Sequence, residues 1–196
     1  MAKKRTTAEE FCKSLEQDPE YIKMREREEQ ELQKRNEAFV IESIPYVQDC
    51  SRFGYNIKTA WGLANEKSIN PELIPIMLNY LSDKNYSDIF RECIARSLDV
   101  PEAAPYFNDV LNMFNNENND SKVKWVIGHA LSLLAKKQDE VDIIEKMIYD
   151  KKLGINRSPF LHTVKKQMKG EQLERVLAFA REDPELKINL KVNRLK

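Results

Sequence analysis

The chain has 196 residues, which is long enough to form one domain with a well-filled hydrophobic core. Charged residues make up 33% of it and apolar residues 41%, with only five glycines and eight prolines, which is typical of a water-soluble, mostly helical protein. The net charge is zero, and we expect no membrane span because no run of about 18 apolar residues is present. Residues 1–6 are a basic tail that we expect to be disordered, and this polar start predicts no secretory signal.

Residues 1–38 are predicted to form a charged helical extension. Thr7 and Glu10 have the spacing of a capping box, so a helix should begin directly after Thr7. Phe11 and Leu15 lie four residues apart, and we expect this first helix to bury both side chains.

A second, longer helix is predicted to begin at Asp18-Pro19, with Asp18 as the N-cap and Pro19 in the first turn. It should reach about residue 44 and carry many charges but few apolar residues. Glu31 and Arg35 have the spacing that supports a helix through an ion pair. Such a narrow apolar stripe suits a peripheral helix, either lying across the rest of the chain or projecting from it.

Residues 39–196 repeat with a period of 33 residues, which predicts stacked helix pairs. The second helices share a basic column at Lys58, Arg91, Lys124 and Arg157. They share a large apolar column at Trp61, Ile94, Ile127 and Phe160. A column in the first helices runs through Ile44, Met77, Val110, Ile143 and Val176. Small residues at Gly62, Ala95 and Gly128 should let neighbouring helices approach closely, because glycine otherwise weakens a helix.

Breaker residues divide this segment into alternating helices and turns. Helices should follow three proline pairs, Asn70-Pro71, Val100-Pro101 and Asp183-Pro184. Residues 115–120, NNENND, are predicted to be a loop, and residues 121–135 a single apolar helix. No stretch alternates with period two for long enough to predict a strand.

Three segments resemble HEAT-type helical repeats, namely RECIARSLDV, KVKWVIGHALSLLAKK and LAFAREDPELKINLKV. The resemblance covers roughly residues 39–195 and implies an all-α fold, an α-solenoid of about four to five helix pairs. In that family the first helices form the convex side and the second helices the concave side. The N-terminal DPEYIKMREREE helix joined to such repeats is also similar to uncharacterised bacterial HEAT-repeat proteins, which implies an arrangement and no activity.

The HEAT family typically places an acid in the turn before a basic residue of the second helix. Two units have this spacing of seven residues, Glu117 with Lys124 and Asp150 with Arg157. Asp183 has no basic residue seven positions later, and Arg91 has no acid seven positions earlier, so the pattern is incomplete.

No motif for catalysis is found. The chain has no Gly-rich phosphate loop, no HExxH, no GxSxG and no Cys/His cluster. We therefore predict no catalytic residue, no metal and no cofactor. A non-enzymatic function is favoured over an enzymatic one. Cys12, Cys50 and Cys93 are widely spaced, which predicts unpaired thiols in a reducing cytoplasm.

His129 and His162 lie 33 residues apart in one column with Arg96. Neighbouring helices would hold the two histidines roughly 10 Å apart, which is too far for a shared metal. This polar strip, with the basic column and an aromatic anchor, suits a partner's carboxylates or a phosphate backbone. The candidate partner-binding residues are Arg91, Arg96, Lys124, Trp125, His129, Arg157 and His162. Alternatively, the three basic-column members Arg91, Lys124 and Arg157 stabilise the stack by bonding to neighbouring acids and turn carbonyls.

Three classes of function fit these observations. A non-enzymatic protein-interaction or scaffold module is favoured, because a repeat surface binds partners without catalytic residues. A nucleic-acid binder is the alternative, since certain alkylpurine DNA glycosylases resemble HEAT-repeat folds. Residues 38–150 carry a net charge of −6, which disfavours nucleic acid, whereas residues 151–196 carry +7 and favour an anionic partner. An enzyme built on a helical repeat is the third class, and no residue points to its chemistry.

Overall fold

A computed structural model of the protein describes residues 7–192, and the backbone alone at Val192. This part of the chain contains ten α-helices, three 3-10 segments and no strand, which confirms the all-α prediction. None of its helices is long and apolar enough to cross a bilayer. The expected disorder of residues 1–6 lies outside the described residues. The chain divides into two compact units, Met1–Ile41 and Glu42–Lys196.

The first helix, α1 (Ala8–Glu16), begins as predicted. The Glu10 backbone N–H donates to the Thr7 hydroxyl at 3.2 Å, and the Thr7 N–H donates to the Glu10 carboxylate at 3.0 Å. The expected burial of its apolar pair is wrong, because Phe11 is 56% exposed and Leu15 is only half-buried. An i, i+4 pair defines an apolar face, but burial needs a second apolar surface, and no described residue before Glu42 is buried.

The second helix, α2, runs from Pro19 to Arg52 and is longer than the sequence indicated. Asp18 caps it, accepting from the Glu20 backbone N–H at 2.9 Å. The predicted pair of Glu31 and Arg35 forms at 3.7 Å. The helix continues through Pro45, so the change in composition at residue 39 is not a helix boundary.

The unit Glu42–Lys196 holds the remaining eight helices. They are α3 (Leu73–Ser82), α4 (Asp88–Ser97), α5 (Phe107–Asn116), α6 (Lys122–Leu134), α7 (Gln138–Tyr149), α8 (Leu161–Gln167), α9 (Gly170–Glu182) and α10 (Pro184–Val192). The 3-10 segments are Ala60–Leu63, Pro101–Tyr106 and Lys151–Phe160. The last of these is interrupted at Gly154, whose φ of 55° suits glycine.

Helix α6 lies at the centre of this unit. It packs against α4, α5 and α8 and against the segment Lys151–Phe160, and nine of its 13 residues are buried. Ser121 caps it by accepting from the Val123 N–H at 3.1 Å. A Cβ added at Gly128 would lie 3.0 Å from Cε2 of Phe114 on α5 and 3.6 Å from the Asn156 carbonyl oxygen. The tightest contact of this glycine is therefore with the first helix of its own unit and not, as predicted, with an adjacent unit.

The first repeat departs from the predicted pattern. Ile94, Ile127 and Phe160 are fully buried, whereas Trp61 of the same column is 45% exposed. The predicted second helix at this position is only the 3-10 segment Ala60–Leu63, which buries Ala60 and Leu63 and leaves Trp61 on the outer side. Gly62 is also not at a helix contact, since a Cβ there would meet Ile57 of the adjoining loop at 2.4 Å.

Candidate functional site

The three basic-column residues of α4, α6 and the segment before α8 are buried. Arg91 and Lys124 are each 4% exposed, and Arg157 is 1% exposed. Lys58, the first member of the column, is exposed. A buried cation is tolerated only when it is paired and hydrogen-bonded, so the partners of these three residues define their role.

Arg157 makes a bidentate ion pair with Asp183. Its Nη1 and Nη2 atoms donate to the two carboxylate oxygens at 2.8 and 3.0 Å, Nη2 also bonds to Glu185, and Nε donates to the Gly154 carbonyl at 3.0 Å. Burial alone would raise the pKa of Asp183, but the hydrogen bonds from Arg157 outweigh it and hold this pKa below its ordinary value. The Arg157 guanidinium therefore joins the segment before α8 to the turn that precedes α10.

Glu117 is the common partner of the other two buried cations, Arg91 and Lys124. Arg91 pairs with its carboxylate through Nη2 and donates from Nε to the Leu81 carbonyl at 2.9 Å. Lys124 donates to the Glu117 backbone carbonyl at 2.9 Å and lies 4.7 Å from the centre of the Phe114 ring. Burial lowers the pKa of Lys124, while the Glu117 carboxylate acts in the opposite direction.

These contacts correct the predicted spacing of the acid and basic columns. The side-chain pairs Arg91 with Glu117 and Arg157 with Asp183 join residues 26 apart, from one unit to the turn of the next. The two apparent exceptions disappear, because Asp183 pairs with the preceding unit and Arg91 with the following one. The contacts favour the stabilising role of Arg91, Lys124 and Arg157 and remove their side chains from an open surface.

The other candidates form a partly exposed row, which we call the aromatic strip (Trp125, His129 and His162). The Trp125 and His129 rings stack at 6.0 Å between centroids with an interplanar angle of 17°. His129 and His162 are 6.2 Å apart, closer than helix spacing suggested, because both side chains extend toward each other from α6 and α8. The Trp125 indole N–H donates to the Ser158 hydroxyl at 2.9 Å, which orients the ring.

An open cleft of about 530 Å³ lies beside the strip. Its apolar side chains are Trp125, Val126 and Ile155. Its charged side chains are of both signs, Glu92, Arg96, Asp120 and Lys122. The predicted Arg96 thus reaches the same cleft as Trp125, and its guanidinium also lies 5.9 Å from the Trp61 ring. An apolar wall with a polar rim is the usual form of a binding pocket.

Sequence reasoning missed Ile155, which is 51% exposed in the cleft. A signal was present, because Ile89, Ile155 and Ile188 share one column of the 33-residue repeat, with Asn56 and Lys122 as the other members. All three isoleucines are more than half exposed, so this column does not serve the core.

The two histidines are held in their neutral forms at neutral pH. Burial lowers the pKa of His129 below its ordinary value, Asp99 opposes this, and Arg96 adds to it. Burial also lowers the pKa of His162, and His129, Lys166, Lys136 and Lys165 lower it further. Burial and, to a smaller degree, the neighbouring cations therefore disfavour the protonated imidazoles.

Within residues 7–192, no three His, Cys, Asp or Glu side chains are grouped so that they could hold a metal ion. The three cysteines carry free thiols, of which Cys12 is exposed and Cys50 and Cys93 are buried. Burial raises the pKa of Cys50 to about 11 and that of Cys93 to about 12, so neither thiol is activated at neutral pH.

No family model matches this chain, and no curated protein and no solved structure resembles it significantly. Its function is therefore argued from its own residues.

Proposed function

We propose that the unit Glu42–Lys196 is a short HEAT-like solenoid that binds a protein partner at the aromatic strip and its cleft. The observation that carries the proposal is the contrast between two sets of candidate residues. Arg91, Lys124 and Arg157 are buried in ion pairs and backbone bonds, whereas Trp125 and Arg96 reach an open cleft. A half-exposed tryptophan beside an arginine is the combination that dominates the binding energy of many protein interfaces.

Two features support the solenoid part of the proposal. Helices α4, α6 and α8 hold equivalent columns and pack in that order, each against the next. The pairs Arg91 with Glu117 and Arg157 with Asp183 link two of the units to their successors, and contacts between neighbouring units are what stabilises a repeat architecture. On this proposal the strip lies on the second helices, which form the concave side in the family that the sequence resembles.

The free cysteines agree with a cytoplasmic location, which is part of the proposal. Nucleic acid is the weaker alternative, because three of its expected cations are buried and paired. The observation in its favour is the exposed set Lys136, Lys165 and Lys166 beside His162. Neither function requires a cofactor.

Site-specific photo-crosslinking in living cells tests the proposal. A photoreactive amino acid replaces Ile155 in the cleft, and the matched control replaces Lys146, an exposed residue of α7 that does not line the cleft. We expect a discrete protein adduct from position 155 and none from position 146. Adding Trp125→Phe, which keeps a ring but removes the bond to Ser158, should weaken the adduct without changing helical content.

Three results would overturn this proposal. They are the absence of an adduct from position 155, equal adducts from both positions, and an adduct that nuclease removes while protease does not. The last result would establish the nucleic-acid alternative.

A further inference from the structure

Resting on the proposed function, we propose that the partner presents an acidic segment with one bulky apolar side chain. The apolar side chain enters the cleft beside Trp125, and the carboxylates lie along His129 and His162. The two ends of the site differ in chemistry, and this difference identifies the class of partner.

The histidine end of the site is cationic. Lys136 follows α6, Lys165 and Lys166 belong to α8, and all three side chains are exposed. Within residues 7–191 none of these lysines takes part in an ion pair of 4.0 Å or less. Asp99 is the acid that faces His129 from the end of α4. Asp99 also interacts with Lys136, whereas in the described part of the chain no acid pairs with Lys165 or Lys166. Exposed cations of this kind favour carboxylates of a partner over a neutral segment.

The cleft end of the site is apolar and electrically balanced. Arg96 and Lys122 are offset by Glu92 and Asp120 at the rim, so the cleft has no strong preference for either charge. Its volume of about 530 Å³ accommodates a large side chain, and Ile155 is 51% exposed there. Burial of an aromatic or leucine side chain here would remove its apolar surface from water, which favours binding.

The geometry of the strip limits the spacing of the partner's residues. The centroids of Trp125, His129 and His162 follow one another at 6.0 and 6.2 Å. An extended chain advances about 3.3 Å per residue, so about four residues cover the strip. The acidic residues should therefore occur within about four positions of the apolar one.

Binding of such a segment should be linked to proton uptake. The groups that face the histidines are Arg96 and Asp99 from α4 and its end, Lys136 after α6, and Lys165 and Lys166 on α8. Apart from Asp99 these groups are cationic and disfavour a protonated imidazole. Burial is the main reason that the pKa values of both histidines are lowered, and the cations add to it. A partner carboxylate that accepts a hydrogen bond from each imidazole favours the protonated form, so we expect the occupied site to hold more protons than the empty one and the affinity to rise as pH falls.

Selection from a phage-displayed library of random peptides on the full chain tests this inference. We expect enriched peptides to carry at least two acidic residues within about four positions of an aromatic residue or leucine. For the most enriched peptide, the dissociation constant should fall roughly tenfold between about pH 8 and about pH 6, since each proton taken up contributes up to about tenfold per pH unit.

Two sets of variants make the test specific. The pair Lys165→Glu and Lys166→Glu should weaken the peptide at least about tenfold, whereas Lys146→Glu and Lys187→Glu, which change the net charge equally, should weaken it less than about threefold. The double variant His129→Asn and His162→Asn should remove most of the pH dependence.

Enrichment of basic or uncharged peptides, equal effects of the two lysine pairs, or an affinity independent of pH would overturn the inference. These outcomes are distinct from failure of the proposed function. A protein adduct from position 155 together with enrichment of non-acidic peptides would support the protein-interaction function and contradict the acidic character of the partner.

Discussion

Arg157 holds both carboxylate oxygens of Asp183, 26 residues further along the chain, at 2.8 and 3.0 Å, although Arg157 is 1% exposed. Asp183 also caps α10 by accepting from the backbone N–H groups of Glu185 and Leu186 at 3.0 and 3.2 Å. One carboxylate therefore starts a helix and neutralises a cation of the preceding unit. The same side chain serves local and tertiary structure. A substitution that keeps the cap but removes the charge separates the two contributions.

Asp183→Asn should destabilise the protein by about 3 kcal/mol, because it leaves a buried guanidinium with a weaker set of partners. Asparagine is also a good N-cap, so the loss should come from the missing charge and not from the helix start. The measurement is the urea dependence of unfolding. Glu31→Gln removes an exposed pair of α2 and should leave the midpoint almost unchanged. Equal midpoints for both variants would contradict the importance of the buried pair.

The buried acids predict a loss of stability in acid. The pKa values of Glu117 and Asp183 lie below their ordinary values of 4.5 and 3.8, since the partner arginines outweigh burial. The unfolded chain binds protons first, so this contribution is complete above about pH 5 and is lost as pH falls below about 4 through the folded values. Urea unfolding at several pH values measures the slope. Asp183→Asn should flatten it, and an unchanged slope would argue against this source of acid sensitivity.

Gly128→Leu should destabilise the protein by at least about 1 kcal/mol through overpacking. The reason is the Phe114 ring, whose Cε2 atom would lie 3.0 Å from the first added carbon. Shortening the neighbour by Phe114→Leu should then cost less stability in the Gly128→Leu background than in the wild type. Independent, additive effects in this double-mutant cycle would place the two residues out of contact.

Ser132→Ala should cost about 1–3 kcal/mol, because a buried donor would lose its acceptor. The Ser132 hydroxyl accepts from the Thr163 backbone N–H at 3.1 Å and lies 2.7 Å from the Thr163 hydroxyl, joining α6 to α8. Ser14→Ala on α1 removes an exposed hydroxyl and is the matched control. A thermal or urea midpoint that changes equally in both variants would show that the α6–α8 bond contributes nothing.

Local signals in the sequence predicted several of the helix starts. Thr7 and Asp18 cap helices as predicted, because a cap depends on residues within three positions of it. The pair Val100-Pro101 is instead followed by the 3-10 segment Pro101–Tyr106, and α5 begins only at Phe107.

The column Ile94, Ile127 and Phe160 was equally readable as core, since a regular repeat places the same position against the same neighbour in each unit. Trp61 is the exception in this column, because the short 3-10 segment that contains it buries Ala60 and Leu63 instead.

The candidate site could be predicted only in part. The period of 33 residues brought Arg96, His129 and His162 into one row, but a column does not state whether a side chain points outward or into a turn. Arg91 and Arg96 belong to the same helix, yet the first is buried on Glu117 and the second reaches the cleft. The difference lies in which neighbouring element covers each side of α4.

The sequence by itself determined the all-α class, the starts of α1, α2, α3, α6 and α10, and the core column Ile94, Ile127 and Phe160, because caps and apolar periodicity act over short distances along the chain. The tertiary structure decided which acid each buried cation meets, how near the two histidines come, and that Ile155 stands beside Trp125. A repeat of 33 residues is compatible with pairing over seven residues or over 26, and only the packing of one unit on the next selects between them.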